Sequence, residues 1–538
     1  MIYILMACAA LIFAASCNSE EKLRLEQLQQ ELSELERQSL PEVTPASDVN
    51  VSEDSEFAFS FDKERYAVDA AGSVTITYAL SEAANVQVDV QGGWRATVNS
   101  GDGKQGEIVL TAPDPAGTVD IIATATTADG RKTVSKLPVM VRDPYTDETR
   151  TDVAAMGYYC LYPDIATDYH FKMMADCGMN MLTIESVDNW QEQLDLAHKY
   201  GMKGVLFVNG PAGDYYMDQT STALADIIAI AKNYPALAGY QIFDEPHLNR
   251  MNQMKMEKDK IEELDPNPEH PVYINLHPSS ASEGSLGVDD YYEYVDRIVT
   301  ECNLKFITFD QYPVFLGYID PSWSRSLAVI HQVSKKHNIP FWAFTLCCRE
   351  HNREDPTLEN IRLQCNTNLA YGAQVNQFFV YRSTSGTDFA PLQTWEWKDG
   401  IVDGTQIQVV RYTAAYDYCK AYCTEMHNRG YVFAGSNVTK VRNFQEIDNW
   451  NEQLSLNDLP PQINSLYTSR KSIISFVENN GNEYVVVVNG LWNWTQQVAI
   501  DLNDMVFMID HDGKFTELEP GISRFSLEGG DMLVFKYK

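Results

Sequence analysis

LAGYQIFDEP, residues 237–246, is the stretch from which the rest of the chain is best read. Its centre, Tyr240-Gln241-Ile242-Phe243, has the continuous apolar character of a strand covered on both faces. It runs directly into two adjacent acids, Asp244 and Glu245, and then Pro246, which cannot donate to a sheet ladder. Neighbouring carboxylates at a strand end repel one another and lose solvation, so such a pair is costly unless a counter-charge, a shared proton or a substrate uses it.

Strands of the same kind recur on both sides of this one. They are VAAMGYYCL (153–161), NMLTIES (180–186), KGVLFVNG (203–210), PVYINLHP (271–278), FITFDQYP (306–313), PFWAFTLC (340–347) and QVNQFFVYRS (374–383). Amphipathic stretches such as WQEQLDLAHKYG and STALADIIAIAKNYP fall between them, the second ending at a proline that stops a helix. Eight βα units over residues 150–430 predict a (β/α)₈ barrel, closed by a long helix around 405–429. In that architecture the C-terminal strand ends form the working face. Those ends carry Tyr162, Glu185, Asn209, Asp244, Glu245, His277, Asp310, Tyr312, Arg349, Glu350, Tyr381 and Arg382. A purely structural barrel has no need of so many polar groups converging on one rim.

Outside the barrel, the alternation of apolar and polar residues changes to period two. Residues 55–143 carry short strands separated by DAAG, GDGK and DPAG, which predicts an N-terminal β-sandwich. Residues 431–538 alternate in the same way, in EYVVVVNG and DMLVFKYK among others, and predict a small C-terminal β-sandwich. Residues 20–40 space Leu25, Leu28, Leu32 and Leu35 as a short heptad, a helical stalk with scope for weak self-association. With the linker after it, this segment covers 18–54.

The chain has 538 residues, enough for several cores, and 41 basic against 75 acidic residues leave a net charge of −34. Such a charge repels phosphates and argues against nucleic acid as a partner. The ten cysteines show no zinc-ligand spacing, no histidine pair has the spacing of a metal site, and most of the thiols are expected to be buried and unpaired. No cofactor is expected. MIYILMACAALIFAASC, residues 1–17, is an apolar run of secretory-signal type, too short for a stable membrane span.

Several of these motifs resemble known families. FAASC resembles a bacterial lipobox, which implies acylation of Cys17, and CNSEEK is similar to the segment after the lipid cysteine in surface lipoproteins of the Bacteroidetes. The resemblance implies a lipid anchor at the outer membrane or cell surface. The 55–143 module resembles the immunoglobulin-like domains of such lipoproteins. FDEP at the end of the fourth strand resembles the Asn-Glu-Pro acid/base motif of clan A glycoside hydrolases, with Asp244 in place of the asparagine. NLAYGAQVNQFFVYR with the TWEW loop resembles barrel hydrolases related to family 42.

That likeness implies a hydrolase acting on a polysaccharide or glycan, with Glu245 as general acid/base. The seventh strand has no acid at its end; the nearest is Glu350 beside Arg349, a candidate nucleophile that an arginine would keep ionised. FDEP is also similar to the Asp-Glu pair of families 20 and 123, in which Asp244 would orient the substrate's 2-acetamido group. Glu185, Asn209, His277, Asp310, Tyr312, Tyr381 and Arg382 are candidate substrate contacts, with Trp395 and Trp397 as a stacking platform. The competing reading is a surface glycan-binding lipoprotein that has lost catalysis.

Overall fold

A computed structural model describes residues 57–161, 166–185, 189–208, 222–350, 352–382, 393–399, 406–443 and 459–538. The signal and stalk expectations fall outside these residues. Eight parallel strands close into a barrel. They are β1 (Ala154–Gly157), β2 (Met181–Ile184), β3 (Lys203–Phe207), β4 (Leu237–Asp244), β5 (Val272–Leu276), β6 (Ile307–Phe309), β7 (Phe341–Leu346) and β8 (Val375–Phe379). Each pairs with its neighbours in sequence, and β8 returns to β1 through Val375 opposite Ala154. The strands are shorter than the apolar runs that announce them, because the run ends turn towards the following helices.

A helix of at least two turns follows each strand: α1 (Asp168–Asp176), α2 (Trp190–Lys199), α3 (Thr222–Ala231), α4 (Met251–Leu264), α5 (Tyr291–Glu301), α6 (Ser322–His337), α7 (Leu358–Tyr371) and α8 (Ala414–Phe433). The closing helix, expected from about 405, begins only at Ala414. Gln406–Tyr412, QIQVVRY, is instead a strand paired antiparallel with Gln393–Asp399. Its alternating β-branched residues favour the extended form, and Thr413 stands at the helix N-cap with φ −95°.

Two cores serve the barrel. The lumen is filled by Met156, Tyr158, Val205, Phe207, Tyr273, Phe306, Phe344 and Val375. A larger core lies between strands and helices and runs on into the C-terminal strands through Val477, Tyr484, Val486 and Val534. Helix α7 is sandwiched in that layer and buried on nearly every side, so its polar residues must find partners inside. Gln364 does so by clasping the backbone of β7: Leu346 N–H donates to its Oε1 at 2.9 Å, and its Nε2 donates to Leu346 O at 3.2 Å.

The N-terminal region folds as two four-stranded sheets around a core that includes Ile76, Ile108, Ile121 and Val139. The C-terminal region has a six-stranded and a three-stranded sheet around Ile474, Val485, Ile500 and Phe535. The eight described cysteines are all buried free thiols. Among the described residues no helix is long and apolar enough to cross a membrane.

Candidate active site

The corner at 244–246 positions the site. The pairing of β4 with β5 shifts register between Gln241 and Phe243, and such bulges re-aim the side chains beyond them. Glu245 then leaves the strand with φ +46°, a left-handed conformation that costs a non-glycine residue on the order of 1–3 kcal/mol. Its surroundings over-determine it. Glu245 N–H donates to Asn275 O at 2.9 Å, and the Tyr294 hydroxyl on α5 donates to Pro246 O at 2.8 Å. The same hydroxyl accepts from His277 N–H at 3.4 Å, and the Tyr291 hydroxyl donates to His277 O at 2.9 Å. On a regular strand Asp244 and Glu245 would face opposite ways. Here both reach the barrel mouth, open to solvent on one side and enclosed by protein on the others.

Asp244 is held by a chain of hydrogen bonds rising through the barrel. Tyr273 OH donates to Gln377 Oε1 at 2.6 Å, Gln377 Nε2 to Thr308 Oγ1 at 2.8 Å, and Thr308 Oγ1 to Asn275 Oδ1 at 3.3 Å. Asn275 Nδ2 donates to Asp244 Oδ1 at 2.9 Å. The Asn275 carbonyl oxygen is occupied from below, so its amide nitrogen is the end presented to the acid.

Glu245 meets His277, whose Nδ1 lies 3.2 Å from its Oε1, and Asp310 from the end of β6, which is within hydrogen-bonding reach. The three acids divide electrostatically. Hydrogen bonding from His277 holds Glu245 below its ordinary value. Burial, followed by the nearby charges of Glu245 and Asp244, pushes Asp310 well above the carboxylate range. Burial also raises Asp244, against the Asn275 bond. The two shifts run in opposite directions, towards a protonated Asp310 and an ionised Glu245.

Glu185 and Arg382 form a second polar group across the mouth, with Arg382 Nη2 2.7 Å from Glu185 Oε2 and Thr183 Oγ1 donating to Oε1 at 3.0 Å. Burial lifts Glu185 to about 7 despite the guanidinium. Tyr159 links this pair to the acids: Arg382 lies 5.9 Å from its ring centroid, and its hydroxyl is raised by burial and by the nearby Asp244 and Glu185. Tyr312 shares the Phe379 ring with Tyr159: its own ring lies 5.2 Å from that of Phe379, and Tyr159's lies 5.9 Å from it.

The other expected site residues are not part of this carboxylate group. Tyr381 is fully buried in the core between strands and helices. The alternation of β8 breaks after Phe379, so that Val380 packs with Phe379 and Tyr312 and Tyr381 turns outward. Arg349 does not serve Glu350: it is exposed, and its Nε pairs with Asp355 Oδ1 at 2.5 Å. Glu350 sits beside Tyr312 and Arg353, while Glu245 meets His277 and Asp310. Tyr162, Asn209 and Cys17 are outside the described residues. Trp395 and Trp397 lie on the strand Gln393–Asp399, opposite Val410 and Gln408, but their side chains are not among those described.

Asn275, Thr308 and Tyr294 were missed as positioning residues. The first two carry a usable signal, since each is a polar residue within an otherwise apolar strand. Away from the mouth, Glu425, His511 and Asp531 bring ligand atoms within 4.8 Å of one another. The neighbouring charges of Arg362 and Arg429 balance these carboxylates, so the group reads as an ion-pair cluster.

No family model matches the chain, and no curated protein matches it. Solved structures do. A family 39 glycoside hydrolase from the gut symbiont Bacteroides cellulosilyticus WH2 is 9% identical, with 89% of this chain and 100% of that one covered and a TM-score of 0.43. A candidate α-galactosidase/melibiase of Bacteroides fragilis is 9% identical, with 89% and 98% covered and a TM-score of 0.41. A β-glucuronidase of Parabacteroides merdae is 10% identical, with 89% and 74% covered and a TM-score of 0.33. At these values the likeness carries no argument about this chain, and the function is argued from the site's own chemistry.

Proposed function

We propose that this protein is a glycoside hydrolase whose barrel mouth uses Asp310 as general acid and Glu245 as the ionised partner. The observation that carries the reading is the contact between these two carboxyls, one kept protonated by burial and negative neighbours, the other kept ionised by His277. Glycoside cleavage needs that division, a proton for the leaving oxygen and a negative charge for the oxocarbenium-like carbon. Carboxyls in hydrogen-bonding contact are far closer than the ~6.5–9.5 Å of an inverting pair and nearer the ~5–5.5 Å of a retaining one, a spacing they reach when the glycosidic oxygen enters between them; this supports retention through a glycosyl-enzyme ester. Asp310 protonates the leaving oxygen as Glu245 attacks, then takes a proton from the water that releases the sugar.

The sequence pattern assigned the acid/base role to Glu245 and substrate contact to Asp310; the directions of the two shifts favour exchanging them. Asp310 offers a second carboxyl where β7 has none, which supports catalysis over a binding-only role.

A second reading has its own observation. Asp244 is oriented by Asn275 and open at the mouth, as an acid steering a 2-acetamido group would be. In that case Glu245 relays the Asp310 proton and no ester forms on the protein. The family 42 and family 123 likenesses belong to these two readings respectively. The lipobox-like FAASC supports anchoring at the cell surface through Cys17, with the immunoglobulin-like module as spacer.

The test is a reducing-sugar assay over a glycan panel with wild type, Glu245→Gln and Asp310→Asn. Turnover by wild type and a loss of at least ~10²-fold in each variant is expected. Undiminished turnover in either variant would refute the pairing.

A further inference from the structure

The loop between β6 and α6 is a built wall. Val314–Phe315 and Tyr318–Ile319 pair antiparallel across a Leu316-Gly317 turn, and Gly317 takes the φ of +82° that the turn requires. The loop after β7 braces it. Leu316 N–H donates to Asn352 O at 3.1 Å, Gly317 N–H to Glu354 Oε1 at 2.9 Å, and Glu354 N–H to Val314 O at 3.1 Å. The Arg353 guanidinium lies 3.4 Å from the centroid of the Phe315 ring, which stacks on Tyr318 at 4.9 Å and 8°. Despite this bracing the tip is apolar and uncovered: Tyr318 is 54% and Leu316 61% exposed.

Two polar atoms at the foot of the wall lack partners. Glu350 Oε2 and Arg353 Nη1 are shielded from solvent without a hydrogen bond. Arg353 lies within electrostatic reach of Glu350, Tyr318 and Tyr312, and Tyr312 is in turn close to Asp310 and Asp244. Tyr312 is thus near both the acids and Glu350, and Arg353, stacked on Phe315, is near both Glu350 and the Tyr318 ring.

We infer that this group is a second carbohydrate subsite, in which the Tyr318 ring stacks under a sugar unit next to the one being cleaved and Glu350 and Arg353 take its hydroxyls. A pyranose presents an apolar C–H face and a rim of hydroxyls. The group offers the complement, an aromatic face fixed in advance beside one acceptor and one donor. Because the ring is already stacked on Phe315, itself covered by Arg353, little conformational freedom is lost on binding. The substrate is then an oligo- or polysaccharide, and Glu350 is a specificity residue. This inference rests on the glycosidase reading of the mouth.

The test compares wild type, Tyr318→Ala and Tyr318→Phe on hexasaccharides from xylan, mannan, galactan, β-glucan and chitin and on the 4-nitrophenyl monoglycosides of the same sugars. Tyr318 is exposed, so the variants keep the fold; circular dichroism checks this. On a cleaved hexasaccharide, Tyr318→Ala should raise KM about tenfold with kcat retained, Tyr318→Phe should restore it, and kcat/KM on the monoglycoside should stay within about twofold. Equal losses on both substrates, or no loss on the hexasaccharide, would overturn the subsite. If no sugar is turned over, the glycosidase reading fails and calorimetric titration of the same hexasaccharides decides the subsite. Binding weakened about tenfold by Tyr318→Ala supports it; no binding, or binding unchanged by the substitution, overturns it.

Discussion

Glu245 and Asp310 titrate as a pair, and the signs of their shifts set the pH profile. Activity needs Glu245 ionised, so it rises with pH through a value held below the ordinary glutamate range by His277. It also needs Asp310 protonated, so it falls with pH only well above the carboxylate range. The expected curve of kcat/KM against pH is a bell broad on both sides. Asp310→Asn should lower kcat by roughly 10²–10⁴-fold and abolish the alkaline limb, since the group that loses its proton there is gone. His277→Ala removes the bond that lowers Glu245, so the acid limb should move to higher pH. An acid limb that stays in place would show that His277 does not tune Glu245.

At the scale of elements, α7 ties the barrel to the C-terminal sheets. Arg362 is 7% exposed, and its Nε donates to Glu425 on α8 at 3.0 Å. Removing one partner of such a pair leaves the other charge buried, so Arg362→Met should cost about 3–5 kcal/mol, read as a fall in calorimetric melting temperature. Arg362→Lys should recover only part of this, because a single ammonium cannot reproduce the guanidinium fork.

The strands of this architecture were legible because parallel barrel strands are apolar throughout and are punctuated by turns, as in LAGYQIFDEP. The pairing of 393–399 with 406–412 was not, since QIQVVRY abuts a true helix and alternation over so few residues does not settle the boundary. The candidate acids were legible singly, but their grouping was not. Asp310 meets Glu245 across the gap between β6 and β4, a contact without local spacing, and the Arg349-Glu350 adjacency misled because the arginine turned to Asp355.

At the scale of the molecule, the N-terminal sheets meet the C-terminal sheet at a buried cation. Lys536 is fully buried in the last strand; its ammonium donates to Val141 O and lies 3.3 Å from Thr118 Oγ1, both in the N-terminal region. Burial brings it down to about 7, with Asp143 opposing. The unfolded chain, with lysine near 10.4, binds more protons than the folded one between about pH 7 and 10. The cost of burying the charge is thus fully present below about pH 7 and is relieved as pH rises through that window. The wild-type melting temperature should therefore gain relative to Lys536→Met between pH 7 and 10. A constant difference between the two proteins would show that Lys536 keeps an ordinary affinity for its proton.

The most direct test of the account is to find which carboxylate takes the sugar. Wild-type protein is incubated with 2-deoxy-2-fluoro glycosyl fluorides of galactose, glucose, mannose and xylose, and the intact and digested chain is weighed by mass spectrometry. The account expects one sugar added per chain, carried on Glu245, in a protein whose unfluorinated substrate is turned over. A label on Asp310, or turnover with no label on any carboxylate, would contradict it.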